Sequence, residues 1–536
     1  MVRNACARLE ARGARAGDRE GTDMRANRRD LLRGAVAAGA LGAAWPLSVR
    51  LSPAQAHAAA RELGATWDEP PFTLGVASGD PLPDGVSLWT RLAPQPLADS
   101  QPLPDTVEVE WVVATDPELS NRVASGTAPA RAEFGHSVHV DVGGLEPGRR
   151  YFYRFAARGR SSRLGRTRTA PVGPLERVRF AAANCQAFHD GFYAAHRGIA
   201  AEDVDFVVHL GDYIYEHGQV GGEHVRDHEG PEAFTLTDYR RRHALYKGDP
   251  SLRAAHAAHP WFLTWDDHEV VNDYSGTEPS KPFRERRAAA YQAWFEHMPV
   301  RSANAQAPRV HQQRHWGDLL ELTILDLRQY RSAQNLPNGT ILGREQKDWL
   351  KQRVDAAPDS WHCWVNSIML SQLAQPGGGY YFTDQWDGFL AERREVLTHV
   401  HDSGMPDLVV VTGDWHSAFV DDVRPDFDDP DSPVIGTEFT AHSVSSSAYD
   451  AEWNRTNGPV MGGANPHLKY FEGDRYGYDV HEVTPRRWST HMRVVADRDD
   501  PRSPVSTLTT FHVDRGRPGS YEDPATIHSP AQYRRA

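Results

Sequence analysis

A short apolar run, residues 207–210, stops at Gly211 and is followed by Asp212 and, three residues later, by Tyr215. An apolar run of this length that ends on a glycine is typical of a buried strand. A carboxylate can bridge two metal ions, and a phenolate is a hard oxygen donor that suits a trivalent ion such as ferric iron. Gly-Asp pairs also occur in ordinary turns, so this motif alone does not establish a metal site.

The same arrangement recurs, because five strand-like runs each end on residues that can bind a metal ion or an anionic substrate. In an open α/β sheet, ligands gather outside the carboxyl ends of the strands, so the fold can bring such residues together. We therefore predict one shared site. The residues in chain order are Cys185; Asp212 with Tyr215; Asp267 with His268; Asp326 with Arg328; and Asp414 with His416.

The composition is that of a folded, acidic protein. The 536 residues are 40% hydrophobic and 10% aromatic, and the formal net charge is −13. Residues 1–58 contain ten Arg and five acidic residues, so the remainder has 49 basic and 67 acidic residues. We expect no stable complex with nucleic acid, because an acidic surface repels a phosphate backbone. Bound metal ions could still reverse the local charge and attract an anion.

Residues 1–58 have the pattern of a leader with a twin-arginine export signal. Arg28 and Arg29 precede a weakly apolar, Ala/Gly-rich segment, residues 34–45, and small residues follow. We therefore expect a secreted protein, extracellular or held in the cell wall or periplasm, exported by the twin-arginine translocation machinery. No later run of about 18 apolar residues is present, so no membrane span is expected after cleavage.

Three cysteines, Cys6, Cys185 and Cys363, are too few for a disulfide framework. Cys363 is expected to be a buried small hydrophobe. Cys185 differs, because it lies at the end of a strand-like run.

Two kinds of sequence pattern follow the leader. Over residues 72–170, short alternating runs separated by Gly, Pro and Asp turns predict a β-sandwich. From residue 176 to residue 515, strand-like runs alternate with helical patterns, which predicts an α/β domain. Residues 516–536 are assigned to a C-terminal tail. For the longer segment from Pro501 onward, a lid over the site and a plain tail both remain open. The helical patterns are at residues 284–297, 344–356 and 389–401.

The ordered series of strand-end motifs resembles the calcineurin-like metallophosphoesterase superfamily, with three departures. Asn-Cys-Gln at residues 184–186 stands in place of Asp-x-His, Trp-Asp-Asp-His-Glu at 265–269 in place of Gly-Asn-His-Glu, and Gly-Asp-Trp-His at 413–416 in place of Gly-His-x-His. These departures, with Gly-Asp-Tyr-Ile-Tyr at 211–215, are similar to the PhoD family of alkaline phosphatases. The resemblance implies a four-layer αββα sandwich preceded by a fibronectin type III-like β-sandwich, and Fe³⁺ beside Ca²⁺.

The resemblance also implies which residues bind the two ions. Anionic and soft donors together stabilise ferric iron, and several hard oxygens suit calcium, with one carboxylate bridging both. The implied iron ligands are Cys185, Asp212, Tyr215 and His416. The implied calcium ligands are Asp212, Asp267, Asn366 and Asp414, with Asp266, Asn272 and Asp326 as alternative oxygen donors.

Two further residues are implied to be catalytic. His268 would protonate the leaving group or, alternatively, orient a neighbouring ligand. Arg328 would clamp phosphoryl oxygens through paired hydrogen bonds or, alternatively, form a structural pair with Asp326.

Together with the leader, the resemblance implies a secreted, metal-dependent phosphoric ester hydrolase of the alkaline phosphatase D type. It would hydrolyse small-molecule phosphomonoesters, and phosphodiesters too, by attack of a metal-activated hydroxide. Phospholipid-derived and nucleotide-derived esters are both open as substrates. A phosphodiesterase or phospholipase D type hydrolase is the alternative, and a non-catalytic exported binding module is a third.

Overall fold

The structure is a computed structural model that describes residues 70–218, 224–301, 305 and 307–527. The predicted leader and export signal, residues 1–58, lie outside the described residues. Of the helices that the structure describes, none combines the length and the apolar character needed to cross a bilayer.

The described residues form 22 strands and seven α-helices. The strands are β1 (Val76–Leu82), β2 (Gly85–Arg91), β3 (Thr106–Ala114), β4 (Arg122–Arg131), β5 (Ser137–Val142), β6 (Arg150–Ala157), β7 (Arg160–Ser161), β8 (Gly165–Arg168), β9 (Val178–Ala183), β10 (Phe206–His209), β11 (Pro260–Leu263), β12 (Gln312–Trp316), β13 (Leu320–Ile324), β14 (Trp361–Val365), β15 (Leu408–Thr412), β16 (Ala418–Val423), β17 (Gly436–Thr440), β18 (Leu468–Glu472), β19 (Gly477–Val483), β20 (Arg487–Val495), β21 (Val505–Asp514) and β22 (Arg517–Glu522). The helices are α1 (Ala194–Ala201), α2 (Leu236–Lys247), α3 (Pro250–Ala258), α4 (Lys281–His297), α5 (Gly343–Asp355), α6 (Leu390–Ser403) and α7 (Ala451–Ala464), with short 3-10 helices at Ala132–Phe134 and Trp386–Gly388.

Two large sheets face each other at the centre. One has ten strands in the order β22-β21-β20-β19-β9-β10-β11-β1-β2-β5, and the other has seven in the order β12-β13-β14-β15-β17-β16-β18. The inner strands β9, β10 and β11 run parallel, as do β13, β14, β15 and β17. Phe180 and Val207 of the first sheet share one core with Leu322 and Val409 of the second. Because these strands are buried on both faces, most of them are largely apolar in sequence; β17, Gly-Thr-Glu-Phe-Thr, is the exception.

Helices cover the outer faces of both sheets. Helices α1, α3 and α4 contact strands of the ten-stranded sheet, and α2 packs on α4. Helices α5 and α6 pack together on the seven-stranded sheet, where Leu350 and Leu397 meet Val410. The predicted four-layer αββα sandwich is confirmed.

The N-terminal β-sandwich is also confirmed, but one of its sheets is shared with the α/β domain. Strands β3, β4, β6, β7 and β8 form a separate five-stranded sheet. Its Val109 and Phe155 pack against Val76 of β1 and Leu88 of β2. Strand β1 pairs in parallel with β11, so β1, β2 and β5 extend the ten-stranded sheet. A continuous sheet therefore joins the two predicted domains.

Residues 505–522 form a hairpin at the edge of the ten-stranded sheet. Strand β21 pairs with β20, and β22 folds back on β21 through a turn in which Gly516 has a φ of 70°. The predicted start of the C-terminal tail, residue 516, lies in this turn, so the first part of that tail is a strand of the sheet. Its polar residues obscured the strand because an edge strand needs few apolar positions.

Candidate metal centre

The loops that follow the inner strands of both sheets meet at one edge of the sandwich. The backbone N–H of Cys185, after β9, donates to the carbonyl of Gly211, after β10, at 3.2 Å. Across the sandwich, the hydroxyl of Thr264, after β11, donates to the carbonyl of Leu325, after β13, at 2.9 Å. Gly211 has a φ of 111°, and a Cβ there would lie 2.5 Å from the Cβ of Asp266. Only glycine lets these two loops approach so closely.

Four of the predicted metal ligands have left-handed backbone conformations, which are uncommon for residues other than glycine. The φ angles are 48° at Cys185, 55° at Asp212, 70° at Asp414 and 56° at His416. Each such residue costs on the order of 1 kcal/mol, and such conformations concentrate at functional sites. The surrounding fold thus stabilises an arrangement that turns these side chains toward one another.

The structure brings together the four residues predicted to bind iron. The Tyr215 hydroxyl donates to Asp212 Oδ2 at 2.9 Å and lies 3.0 Å from His416 Nε2. Cys185 Sγ lies 3.4 Å from the same carboxylate oxygen. Ligand atoms of Cys185, Asp212 and His416 all lie within 4.8 Å of one another.

The pKa values of the predicted metal ligands indicate that the site needs a positive charge. Burial, and after it the charge of Asp212, raises the pKa of Cys185 and of Tyr215 well above the usual range. Burial also raises the pKa of Asp212 and of Asp414, and the charges of the neighbouring carboxylates Asp266 and Asp267 raise it further. Ionising all these groups in a buried place requires a compensating cation.

A cation also fits the hydrogen bonding. Asp212 Oδ1 and Asn366 Oδ1 are buried and accept no hydrogen bond from the residues that the structure describes. Buried oxygen atoms left unpaired are costly, and a metal ion would satisfy them. The residues therefore fit a bound ion.

Three of the predicted calcium ligands, Asp212, Asp267 and Asp414, lie next to the iron group. Carboxylate oxygens of Asp212, Asp266, Asp267 and Asp414 all lie within 4.8 Å of one another. Asn366 follows β14, and its backbone N–H donates to the carbonyl of Val411 in β15 at 2.9 Å.

Two of the three alternative oxygen donors have other partners, and the third is exposed. Asp266 pairs with Arg328, and Asn272 is exposed. Asp326 Oδ1 accepts hydrogen bonds from the Trp265 indole and from two backbone N–H groups, at distances of 2.9–3.1 Å.

Arg328 is fully buried and held by carboxylates. Its Nε and Nη2 donate to the two oxygens of Asp266 at 2.7 and 2.9 Å, and Nη1 lies 2.7 Å from Asp384 Oδ2. Asp326, the partner considered from the sequence, contacts the backbone N–H of Arg328 at 3.1 Å and not its guanidinium. In this arrangement the guanidinium positions Asp266.

His268 is held by a residue that the sequence analysis missed. Its Nδ1 donates to Glu216 Oε2 at 2.7 Å, and its ring lies 4.2 Å from the ring of Tyr215. Burial lowers the pKa of His268, but the charges of Glu216, Asp267 and Asp212 outweigh burial and raise this pKa well above its usual value. The position of Glu216, directly after Tyr215, was the available signal.

Two other residues that support the centre were also missed. Glu269 accepts hydrogen bonds from the backbone N–H groups of Asp212, Tyr213 and Asp266 at 2.7–3.2 Å, so it ties the loops after β10 and β11 together. Burial raises its pKa to about 7. Ser446 donates to the Tyr215 hydroxyl at 2.8 Å, from a loop that carries no recognisable motif.

Comparison with known proteins gives one consistent assignment. The family model of the PhoD-like phosphatase matches residues 180–492, and that of the PhoD-like phosphatase N-terminal domain matches residues 56–171. Alkaline phosphatase D of Bacillus subtilis (strain 168) is 39% identical over 480 residues, which cover 84% of this chain and 82% of that protein. A solved structure of PhoD matches with a TM-score of 0.82 and 36% identity. The match covers 88% of this chain and 96% of the PhoD chain. The chain therefore belongs to the PhoD-like phosphatase family and is a phosphoric ester hydrolase.

Proposed function

We propose that this protein is an exported phosphoesterase that hydrolyses phosphomonoesters and phosphodiesters with the help of Fe³⁺ and Ca²⁺. The observation that carries the proposal is the contact of Tyr215 Oη with both Asp212 and His416, beside the Cys185 thiol. A thiolate, a phenolate and a carboxylate supply three negative charges, which favour a trivalent ion.

The adjoining oxygen atoms suit calcium, which takes six to eight oxygen ligands. Asp212 belongs to both groups and would hold both ions, while the carboxylates of Asp267 and Asp414 and the unpaired Oδ1 of Asn366 would supply further oxygens. When bound, such a pair of ions lowers the pKa of water and neutralises the charge on phosphoryl oxygens. No Ser or Cys nucleophile is needed.

His268 is proposed to protonate the leaving group. Because its Nδ1–H donates to Glu216, its Nε2–H remains to donate a proton, and the side chain is 15% exposed. The charge of Glu216 raises the pKa of His268, which favours the imidazolium form that an acid requires. Arg328 is proposed to act indirectly, without contacting the substrate, by holding the Asp266 carboxylate in position.

An aromatic surface beside the centre supports substrates with a sizeable organic group. Trp415 lies between the two ligand residues Asp414 and His416, and its ring is 4.8 Å from that of Phe382, which is 37% exposed. An apolar flank of this kind accommodates the alcohol part of a monoester or the second alcohol of a diester.

Export by the twin-arginine route is proposed from Arg28 and Arg29. The route carries folded proteins, which suits a protein that acquires its metal ions before export. Replacing both arginines by lysine should leave the protein inside the cell, whereas its appearance outside would refute this route.

The catalytic proposal is tested by hydrolysis of a chromogenic phosphomonoester and a chromogenic phosphodiester. Asp212→Asn should lower kcat for both esters by at least about 100-fold, because the bridging charge is lost. Asp348→Asn, on the exposed surface of α5, is the matched control and should change neither rate. Equal activity of Asp212→Asn and the wild type would overturn the assignment of the centre, and activity on one ester class alone would overturn the proposed range.

A further inference from the structure

A second cluster of metal-binding side chains lies beside the proposed centre and takes no part in the reaction described above. His189 and Asp190 lie in the loop after β9, and His224 lies on the segment between β10 and α2. One ligand atom from each of these three residues lies within 4.8 Å of the others. The rings of His217 and His228 also surround His189.

The spacing is that of ligands around one small ion. His189 Nε2 lies 3.3 Å from Asp190 Oδ1, and the rings of His189 and His224 have centroids 5.2 Å apart, at 63°. Two ligand atoms of a tetrahedral ion with bonds of 2.0–2.1 Å are about 3.4 Å apart, and two imidazole rings on such an ion are about 5 Å apart.

Two buried nitrogen atoms in this cluster are unsatisfied. His189 is 4% exposed and His228 is 1% exposed, and neither Nδ1 has a hydrogen-bond partner among the described residues. Histidine binds metal ions as a neutral imidazole, and a ring whose Nδ1 has no partner in the protein is compatible with that form.

We propose that His189, Asp190 and His224 bind a zinc ion, at a site distinct from the Fe³⁺ and Ca²⁺ centre. Two imidazoles and one carboxylate are the ligand types that zinc prefers, with water in the fourth position. Calcium is a poor match, because it requires six to eight oxygen ligands and this cluster offers one carboxylate. The other centre differs in kind, since it includes the Cys185 sulfur.

The zinc site is connected to the other centre through Ser447. Asp190 Oδ2 accepts the Ser447 N–H at 2.8 Å, and the Ser447 carbonyl accepts the His416 Nδ1–H at 2.9 Å. A zinc ion on Asp190 would therefore hold the ring of His416 in place, as partners of metal-ligating histidines do. This consequence, unlike zinc binding itself, rests on the proposed role of His416.

Zinc binding is tested on the full exported protein in its metal-loaded form, equilibrated with Zn²⁺ and measured by elemental analysis. We expect one zinc ion per chain, with its affinity lowered at least about tenfold in His224→Gln and Asp190→Asn. His399→Gln, a histidine beside Asp355 on the far helix α6, is the control and should keep the zinc. Asp212→Asn should also keep it, so failure of the proposed phosphoesterase centre would not remove this site.

X-ray absorption at the zinc edge gives a second measurement that does not depend on a variant folding correctly. The site predicts nitrogen and oxygen neighbours at about 2.0–2.1 Å and no sulfur. A sulfur neighbour at about 2.3 Å would place the ion at Cys185 and overturn the proposal. Unchanged zinc affinity in folded His224→Gln, judged by near-ultraviolet circular dichroism, would also overturn it.

Discussion

Replacing Arg328 by methionine should unfold the protein more easily while leaving substrate affinity nearly unchanged. In the wild type the guanidinium pairs with both oxygens of Asp266 and with Asp384. Asp384 would keep Arg331, whose Nη2 lies 2.5 Å from Asp384 Oδ1. Asp266 would lose its bidentate partner and remain as a buried, uncompensated carboxylate.

The magnitude follows from the loss of one partner of a buried pair, which costs about 3–5 kcal/mol. Because Asp384 keeps a cation, we expect a loss near the lower limit, about 3 kcal/mol. Adding Asp266→Asn removes the unpaired charge. Because Arg328 and Asp266 interact directly, the double variant should regain about 1–3 kcal/mol of the lost free energy of unfolding.

The assay is urea unfolding of metal-loaded protein, followed by the kinetics of monoester hydrolysis. Arg344→Met is the matched control, since Arg344 is 93% exposed on α5 and lies 3.7 Å from Asp348, and it should not change the midpoint measurably. A loss of stability below about 1 kcal/mol in Arg328→Met, together with a large rise in KM, would refute the positioning role and indicate contact with the substrate.

Three further predictions follow from named contacts. Glu216→Gln removes the charge that keeps His268 protonated, so kcat should fall about 10- to 100-fold with little change in KM, and an unchanged kcat would exclude His268 as the acid. Asp479 is fully buried, both of its carboxylate oxygens are unpaired among the described residues, and burial raises its pKa well above the usual value. Ionisation of Asp479 therefore favours the unfolded chain once the pH exceeds about 4. The unfolding midpoint of Asp479→Asn should fall less than that of the wild type between about pH 5 and pH 8. Midpoints that change in parallel with pH in the two proteins would contradict this prediction. Chelation of the metal ions should lower the unfolding temperature and remove activity, and re-adding Fe³⁺ and Ca²⁺ should restore both.

The strands and helices that carry the centre could be predicted because their apolar patterns are strong. The helical patterns at residues 284–297, 344–356 and 389–401 match α4, α5 and α6 to within three residues at each end. Strands β9, β10, β11, β13, β14 and β15 were equally visible, since each is a largely apolar run that is followed by a polar motif.

The partners of the site residues were harder to predict, because they come from loops without a periodic pattern. Asp384 contacts Arg328 across 56 residues of chain, and Ser446 contacts Tyr215 across 231 residues. Local sequence determines that Arg328 follows a strand, but only the packed fold determines which carboxylates it meets. The sharing of β1, β2 and β5 with the ten-stranded sheet was missed for the same reason, since an alternating strand does not reveal its neighbour.

The central claim is that Tyr215 and Cys185 hold ferric iron beside calcium. The most direct measurement is the iron and calcium content of the exported protein together with its visible absorption spectrum. We predict stoichiometric iron with calcium and a tyrosinate-to-iron charge-transfer band that is lost in Tyr215→Phe. The band should be retained in Tyr213→Phe, because the Tyr213 hydroxyl contacts His256 at 2.7 Å instead. An active protein without iron, or one whose band survives in Tyr215→Phe, would contradict it.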